Sequence, residues 1–188
     1  MRITAGKFAG RTLEFPKGPR IRPTQDQVRQ ALFNIIGVKV EQARVLDLFA
    51  GSGSLGIEAL SRGAAHATFL DRSGFSIGAI ETNLERLLGK SAWEYSTFLK
   101  SDVLLALPKL AAKAKLFDLV FVDPPYDGDL AKKTLSAISR YAIVSETGWV
   151  VAEHAKRDPL PPEFEGPARH LKLQRLETYG DTALALYA

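Results

Sequence analysis

The chain has 188 residues, of which 46% are hydrophobic and 24% charged, so it can bury one sizeable core and is too short for two comfortable domains. No apolar run approaches the roughly 20 residues of a membrane span, and the first residues lack the apolar core of a secretory signal. The chain has no cysteine, which excludes disulfides and thiolate metal sites. We therefore expect a cytoplasmic protein without bound metal, and nothing in the sequence requires more than a monomer.

Basic residues are concentrated in the first thirty positions, where only Glu14 and Asp26 oppose them. Glycines and prolines in the same segment favour turns over a long helix. Composition alone leaves open a solvated arm, but a basic, turn-rich arm on a neutral body also suits binding of nucleic-acid phosphates. The candidate RNA contacts are Lys7, Arg11, Arg20, Arg22, Thr24 and Arg29.

The N-terminal segment is predicted to be a small β-hairpin followed by a helix. Gly6 and Gly10 punctuate short strand-like pieces within residues 1–15. Thr24 is a good N-cap for a helix that runs to about Ile36 and ends at Gly37. We treat residues 1–40 as an extension and residues 41–188 as the main domain.

From Val45 onward, strand-like and helix-like segments alternate. Strands are predicted at 45–49, 67–71, 93–99, 117–122, 149–152, 171–178 and 182–187, with helices at 54–62, 75–88, 103–114 and 130–141. Alternation implies right-handed crossovers and a mostly parallel sheet covered on both faces. The last two strands have no helix between them, so they pair as an antiparallel hairpin turning at Gly180-Asp181. The predicted class is α/β, a Rossmann-like sheet of seven strands.

A glycine cluster follows the first strand and opens the first helix of this domain. Gly51, Gly53 and Gly56 fit G-x-G-x-x-G, and Asp71 lies at the end of the second strand. The pattern indicates an adenosine-containing cofactor, because glycines admit a close ligand and an acid can bind ribose hydroxyls. On its own it does not choose between a nicotinamide dinucleotide and S-adenosylmethionine, and Asp71 could instead stabilise a turn.

Two further acids stand at predicted strand ends. Asp47 suits a cofactor with a cationic amino-acid tail, although it could equally cap the neighbouring loop. Asp102 could accept from an adenine amino group or serve as the N-cap of its helix. The candidate cofactor-binding residues are Asp47, Phe49, Ala50, Gly51, Ser52, Gly53, Asp71, Arg72, Asp102 and Val103.

The tetrapeptide Asp123-Pro124-Pro125-Tyr126 closes the fourth predicted strand and supplies the candidate catalytic residues. Consecutive prolines make a stiff turn without N–H groups, so the Asp123 carboxylate and the Pro124 carbonyl are fixed acceptors at the edge where α/β sheets bind ligands. Two acceptors can align the amino group of a base for methyl transfer and stabilise the positive charge that develops on nitrogen. Tyr126 offers a stacking surface for the base.

These motifs resemble the amino-methylating class I methyltransferases marked by [DNS]-P-P-[YF], and more closely the bacterial RsmD family of 16S rRNA guanine-N2 methyltransferases. The matching segments are residues 2–11, 22–24, 28–29, 31–34, 46–53, 55–63, 121–126 and 179–182. The chain departs from the family pattern at Gln27, where a basic residue is usual, and at Asp71, where Glu is common.

The resemblance implies S-adenosylmethionine bound by residues 49–53, Asp71 and Asp102, and a target guanine held by Asp123, Pro124 and Tyr126. It implies 16S rRNA, or the assembling small ribosomal subunit, as partner. An adenine-N6 or cytosine-N4 methyltransferase is the nearest alternative, though the chain has no room for a large region that reads duplex DNA. A nicotinamide-dependent oxidoreductase and a non-catalytic RNA-binding module are alternatives from other classes.

The histidines and tryptophans are predicted to occupy structural positions and not functional ones. His66, His154 and His170 lack metal-ligand partners at useful sequence spacing, so we expect them at the surface or at strand ends. Trp93 and Trp149 fall within predicted strands, and we expect both in the core.

Overall fold

The computed structural model describes residues 1–14, 23–125 and 129–188, with the side chains of residues 23–25 left undescribed. Its described strands form one sheet in the order β3-β2-β1-β4-β5-β8-β7-β6. The strands are β1 Arg44–Leu48, β2 His66–Asp71, β3 Ser96–Lys100, β4 Phe117–Val122, β5 Val144–Ala155, β6 Glu163–Phe164, β7 Leu171–Tyr179 and β8 Thr182–Tyr187.

Strands β1 to β5 are parallel and β8 runs antiparallel between β5 and β7. The two central strands, β1 and β4, are almost continuously buried, as expected for strands with helices on both faces. Gly180 has a φ of 60° at the turn between β7 and β8, so the predicted hairpin is confirmed. The strand order reverses between β1 and β4, which is where ligands of open α/β sheets bind.

The helices are α1 Pro23–Ile36, α2 Ser54–Ser61, α3 Gly74–Leu88, α4 Ala92–Tyr95, α5 Val103–Ala112 and α6 Leu130–Arg140. Alternating strand residues divide the core in two. Val45, Phe69 and Phe121 pack with α1, α2 and α3, whereas Leu46 and Val120 face α5 and α6. Among the described residues, no helix is both long and apolar enough to cross a membrane.

The N-terminal extension shares the first of these cores. A single antiparallel bridge between Arg2 and Thr12 takes the place of the predicted strands. Ile3, Phe8 and Leu13 are buried in the same cluster as α1 and the sheet. The described part of the extension, residues 1–14 and α1, is therefore packed onto the domain.

Several predictions about individual elements were wrong. The sheet contains an eighth strand, β6, whose two residues carry too little periodicity to be recognised. Trp93 lies in the short helix α4 and is 58% exposed, not in a core strand. His154 lies next to the end of β5 and His170 at the surface, as expected, but His170 has an unpredicted partner in Glu163, with 2.7 Å from Nε2 to the carboxylate oxygen. Sequence spacing missed that pair because a chain reversal joins its members.

Candidate active site

A cleft of about 460 Å³ opens at the carboxyl ends of the parallel strands. Every parallel strand contributes to its wall directly or through the residues that follow it. The lining residues are Phe49, Gly51, Asp71, Arg72, Ser101, Asp102, Val103, Asp123, Pro125, Leu130 and Glu153. The structure thus brings the predicted glycine loop and the predicted Asp-Pro-Pro turn to one site.

The glycine loop makes a tight reversal between β1 and α2. Gly53 has a φ of 75°, and a Cβ there would lie 2.9 Å from Ile80 Cγ1. Gly56 allows α2 to sit directly on β2, since a Cβ at this position would lie 2.3 Å from Phe69 Cε1. Phe49 also has a positive φ, 66°, a conformation that costs energy for a side chain other than glycine. Gly51 is the open position of the loop: it lines the cleft, and the nearest atom to a Cβ built there would be Phe49 O at 3.8 Å.

Asp71 braces this loop with both carboxylate oxygens. One oxygen accepts from Gly51 N at 2.8 Å and the other from Ser73 N at 2.7 Å. Each oxygen retains a second lone pair, and the residue lines the cleft, so turn stabilisation and ribose binding are compatible.

Asp47 lies below the loop and does not line the cleft. Its side chain is 2% exposed and accepts from Gly56 N at 2.9 Å, so the structure shows it bracing the start of α2. Burial raises the pKa of Asp47 well above its ordinary range, the Gly56 hydrogen bond lowers it, and the nearby charges of Asp123 and Asp71 raise it further. A cationic group on the cleft side would relieve this accumulation of negative charge.

Asp102 is the N-cap of α5, and its Oδ1 accepts from Leu104 N at 2.9 Å and Leu105 N at 3.3 Å. It also lines the cleft with Ser101 and Val103, so both sequence interpretations stay open. Of the other predicted cofactor contacts, Phe49, Gly51 and Arg72 line the cleft, while Ala50, Ser52 and Gly53 belong to the loop that supports it.

Asp123 ends β4 and faces the cleft with Pro125, while Pro124 between them is buried. Burial raises the pKa of Asp123 to about 6. At neutral pH the carboxylate is therefore mostly ionised and strongly desolvated, which makes it a better hydrogen-bond acceptor than an acid in water. Tyr126 lies outside the described residues.

The predicted RNA contacts separate into different groups. Lys7 and Arg11 are exposed. Lys7 donates its backbone N–H to Ser61 O at the last turn of α2, about 12 Å by helix rise from the glycine loop. Arg20 and Arg22 lie outside the described residues, and so does the side chain of Thr24.

Arg29 corrects our expectation of an RNA contact. The side chain is 4% exposed and its guanidinium contacts Asp26 at 3.1 Å, Glu58 at 3.5 Å and the Arg2 carbonyl at 2.6 Å. These partners already satisfy its charge inside the protein, so we retain no RNA contact for it. Composition could not show this, because a buried arginine and an exposed one count alike.

Glu58 is the centre of that internal network. It is 1% exposed and accepts from Thr4 N at 2.9 Å, Ala5 N at 3.1 Å and Arg62 Nε at 2.8 Å. The carboxylate therefore joins the extension to α2, the helix that begins at the glycine loop. We call this group of contacts the Glu58 junction.

Ser101 lines the cleft beside Asp102, as expected from the Ser101-Asp102 pair after the third strand, whereas sequence reasoning missed Leu130 and Glu153. Leu130 begins α6 and carried no signal. Glu153 did carry a signal. It is an acid near the end of a strand, directly after the buried residues Val150 to Ala152, and the same argument was applied to Asp47.

The fold and the cleft define a class of protein. The fold is shared with solved structures of S-adenosylmethionine-dependent methyltransferases, and the glycine loop after β1 and the Asp-Pro-Pro turn after β4 line the cleft at its ligand-binding edge. A solved structure of the Escherichia coli protein yhhF superposes with a TM-score of 0.82 at 34% identity, covering 100% of this chain and 96% of that one.

The family follows from the sequence comparisons. The model of the family described as Conserved hypothetical protein 95 matches residues 1–188, and the chain belongs to this family. Bacillus subtilis YlbH is 42% identical over 188 residues, 100% of this chain and 98% of that protein. Ribosomal RNA small subunit methyltransferase D of Escherichia coli K12 is 34% identical over 187 residues, 100% of this chain and 89% of that protein. The resemblance to the RsmD family is thereby confirmed.

Proposed function

We propose that this protein transfers a methyl group from S-adenosylmethionine to the exocyclic N2 amino group of one guanine in 16S rRNA of the small ribosomal subunit. The observation that carries the proposal is the shared cleft of Asp123 and the glycine loop with its brace Asp71. The name of the Escherichia coli relative supports small-subunit rRNA as the substrate. We propose further that the enzyme acts in the cytoplasm, where the small ribosomal subunit is assembled in a bacterial cell, and that it acts as a monomer.

The described residues fit the cofactor. Gly51 lines the cleft without a side chain, so a ligand can approach the loop backbone there, and Asp71 and Asp102 offer acceptors for hydroxyl and amino groups along the cleft. The negative charge of Asp47, Asp71 and Asp123 suits a sulfonium and an α-ammonium group. When bound, the cofactor supplies an electrophilic methyl group.

The protein then has to make a weak nucleophile reactive. The N2 lone pair of guanine is delocalised into the ring, so its nitrogen attacks poorly. The Asp123 carboxylate and the Pro124 carbonyl can each accept one N2 hydrogen and hold the group in line with the methyl donor. As the N–C bond forms, positive charge grows on nitrogen, and both acceptors stabilise it more than they stabilise the neutral amine. The resulting ammonium-like nitrogen loses its extra proton readily, so no strong base is required.

The first experiment is methyl transfer from labelled S-adenosylmethionine to small-subunit particles that lack the modification, followed by nucleoside analysis. We expect N2-methylguanosine, and a loss of about 100-fold or more in rate for Asp123→Ala. Asp158→Ala removes an exposed acid far from the cleft and is the matched control.

Other outcomes distinguish the alternatives. Methylated adenine or cytosine would keep the chemistry and overturn the target base. Absence of transfer by a folded protein that still binds the particle would favour an RNA-binding module. Binding of a nicotinamide dinucleotide in preference to S-adenosylmethionine would favour an oxidoreductase.

A further inference from the structure

The strand next to the Asp-Pro-Pro turn brings a second carboxylate to the cleft. β4 and β5 are parallel and paired at Val122 and Ala152, so Asp123 and Glu153 are the next residues on two neighbouring strands. Adjacent strands lie about 4.8 Å apart. Both residues line the same cleft, together with Pro125 and Leu130.

Glu153 is held by regular secondary structure. It lies inside β5, pairs with Leu184 of β8, and follows the fully buried Ala152. Its backbone is therefore fixed by pairing with β8 and by the pairing of the preceding residue with β4, which favours precise placement of the side chain. The Glu153 side chain is half-buried and lines the cleft, so it is placed to contact a bound base.

The edge of guanine that carries N2 presents a second donor beside the amino group. N1–H lies next to the N2 amino group, and the O6 acceptor follows. When Asp123 and the Pro124 carbonyl accept the two N2 hydrogens, N1–H is the next group that needs an acceptor. Adenine has an unprotonated N1 at the corresponding place and cytosine has an unprotonated N3, and either lone pair would face the carboxylate unfavourably.

We propose that Glu153 accepts the N1–H of the target guanine and is the residue that restricts the reaction to guanine. This inference rests on the proposed methyl transfer to N2. Asp123 and Pro124 recognise an amino group, which three bases possess. Glu153 recognises the neighbouring N–H, which among these three only guanine possesses.

The test replaces the mapped target guanine with 2-aminopurine in particles assembled from synthetic 16S rRNA. This base keeps the amino group on C2 and has an unprotonated N1. We expect the unaltered enzyme to prefer guanine by about 10- to 100-fold in kcat/KM. In Glu153→Ala the rate on guanine falls by a similar factor while the rate on 2-aminopurine changes little, so the preference shrinks.

Two further variants control for structure. Glu153→Gln keeps the shape of the side chain and should also reduce the preference, because an amide can pair with N1 in either protonation state. Glu146→Gln changes an exposed acid on the same strand outside the cleft and should leave the preference unchanged. 2-Aminopurine also lacks O6, and this loss affects all enzyme variants alike. The change in preference between the unaltered enzyme and a Glu153 variant therefore reports the effect of the residue alone.

The outcomes separate this inference from the proposed function. If the unaltered enzyme methylates guanine and accepts 2-aminopurine equally well, Glu153 is not the selecting residue, whatever the variants do. The same conclusion follows if both Glu153 variants keep the full preference. If no methyl group reaches guanine in any particle, the proposed function itself fails.

Discussion

Asp47 lies in β1 and Asp123 directly follows the adjacent strand β4, and each is buried enough for its pKa to rise. Their roles differ because their surroundings differ. Asp47 points beneath the glycine loop and accepts from Gly56 N, whereas Asp123 lines the cleft. Two acids of the same kind therefore differ in place: Asp47 supports the glycine loop, and Asp123 faces the cleft, where we propose that it binds the reacting amino group.

The pKa of Asp123 predicts the acid limb of the reaction. Burial raises this pKa to about 6. Only the ionised carboxylate is purely a hydrogen-bond acceptor and carries the negative charge that stabilises positive charge on the nitrogen. We expect the single-turnover rate of methyl transfer to fall as the pH drops through about 6, with one proton taken up. Asp123→Asn should be slower and should lose this limb. Retention of the limb in Asp123→Asn would assign it to another group.

The substitution Asp47→Asn should have opposite effects on the stability of the protein and on its affinity for the cofactor. The amide keeps an oxygen for Gly56 N and removes a buried charge, so we expect the free energy of unfolding at pH 8 to increase by about 1 kcal/mol or more. The native carboxyl binds its proton more tightly than the unfolded one. The difference should therefore vanish at acidic pH, where Asp47 is protonated in both states. Denaturant unfolding at several pH values measures this effect.

Calorimetry measures the affinity of the same variant for S-adenosylmethionine. We expect about 10-fold weaker binding of S-adenosylmethionine, because one negative charge facing a cationic ligand is lost. Unchanged affinity would restrict Asp47 to bracing the loop.

At the scale of elements, the close approach of α2 to β2 is decided by one position. Gly56→Ala places a methyl group 2.3 Å from Phe69 Cε1 in a fully buried environment, and we expect a loss of about 2 kcal/mol or more of stability. Gly78→Ala is the matched control in α3, where a Cβ meets nothing within 4 Å. It should stabilise the helix by about 0.5–1 kcal/mol. Similar effects of the two substitutions on thermal unfolding would contradict this account of the packing.

The elements themselves were largely predictable from the sequence. Buried parallel strands such as β4 have continuous apolar runs, and α3, α5 and α6 have clear helical spacing, so these were placed to within a few residues. Trp93 was predicted to lie in a strand because aromatic residues are typical of strands and this one shortly precedes β3. β6 was missed because edge pairing of two residues depends on β7 and leaves no local pattern.

The site was predictable to the extent that it follows from strand ends. Asp71, Asp102 and Asp123 were placed at one sheet edge because the order of parallel strands requires it. Glu153 and the burial of Arg29 were not predicted, since each depends on a partner far away in the chain. Glu153 lies beside Asp123 only through the pairing of β4 with β5, and Arg29 is buried only because Glu58 meets it there.

At the scale of the whole molecule, charge distribution should set how the enzyme binds its substrate. Lys7 and Arg11 are exposed cations on the extension. If they contact phosphates, removing both lowers the slope of log K against log salt by about 0.7 for each contact on single-stranded RNA. We expect the double variant Lys7→Ala, Arg11→Ala to show this in particle binding between 50 and 200 mM salt.

A pair with the same change in net charge controls for nonspecific effects. Lys113→Ala with Lys115→Ala removes two exposed cations between α5 and β4, and its salt slope should stay near that of the unaltered protein. Equal slopes in both double variants would mean that Lys7 and Arg11 contribute only to the overall electrostatic field of the protein and do not contact phosphates.

The Glu58 junction has a consequence for how such an enzyme can change over generations. The extension is held by a buried acid on the helix that begins at the glycine loop, so a chain that lost residues 1–14 would lose the Thr4 and Ala5 donors to Glu58 and leave this buried carboxylate with Arg29 and Arg62 alone. Conversely, a related methyltransferase could not acquire the extension by simple fusion, because it would also need Glu58, Ser61 and Arg62 on α2. The two parts are inherited together or not at all.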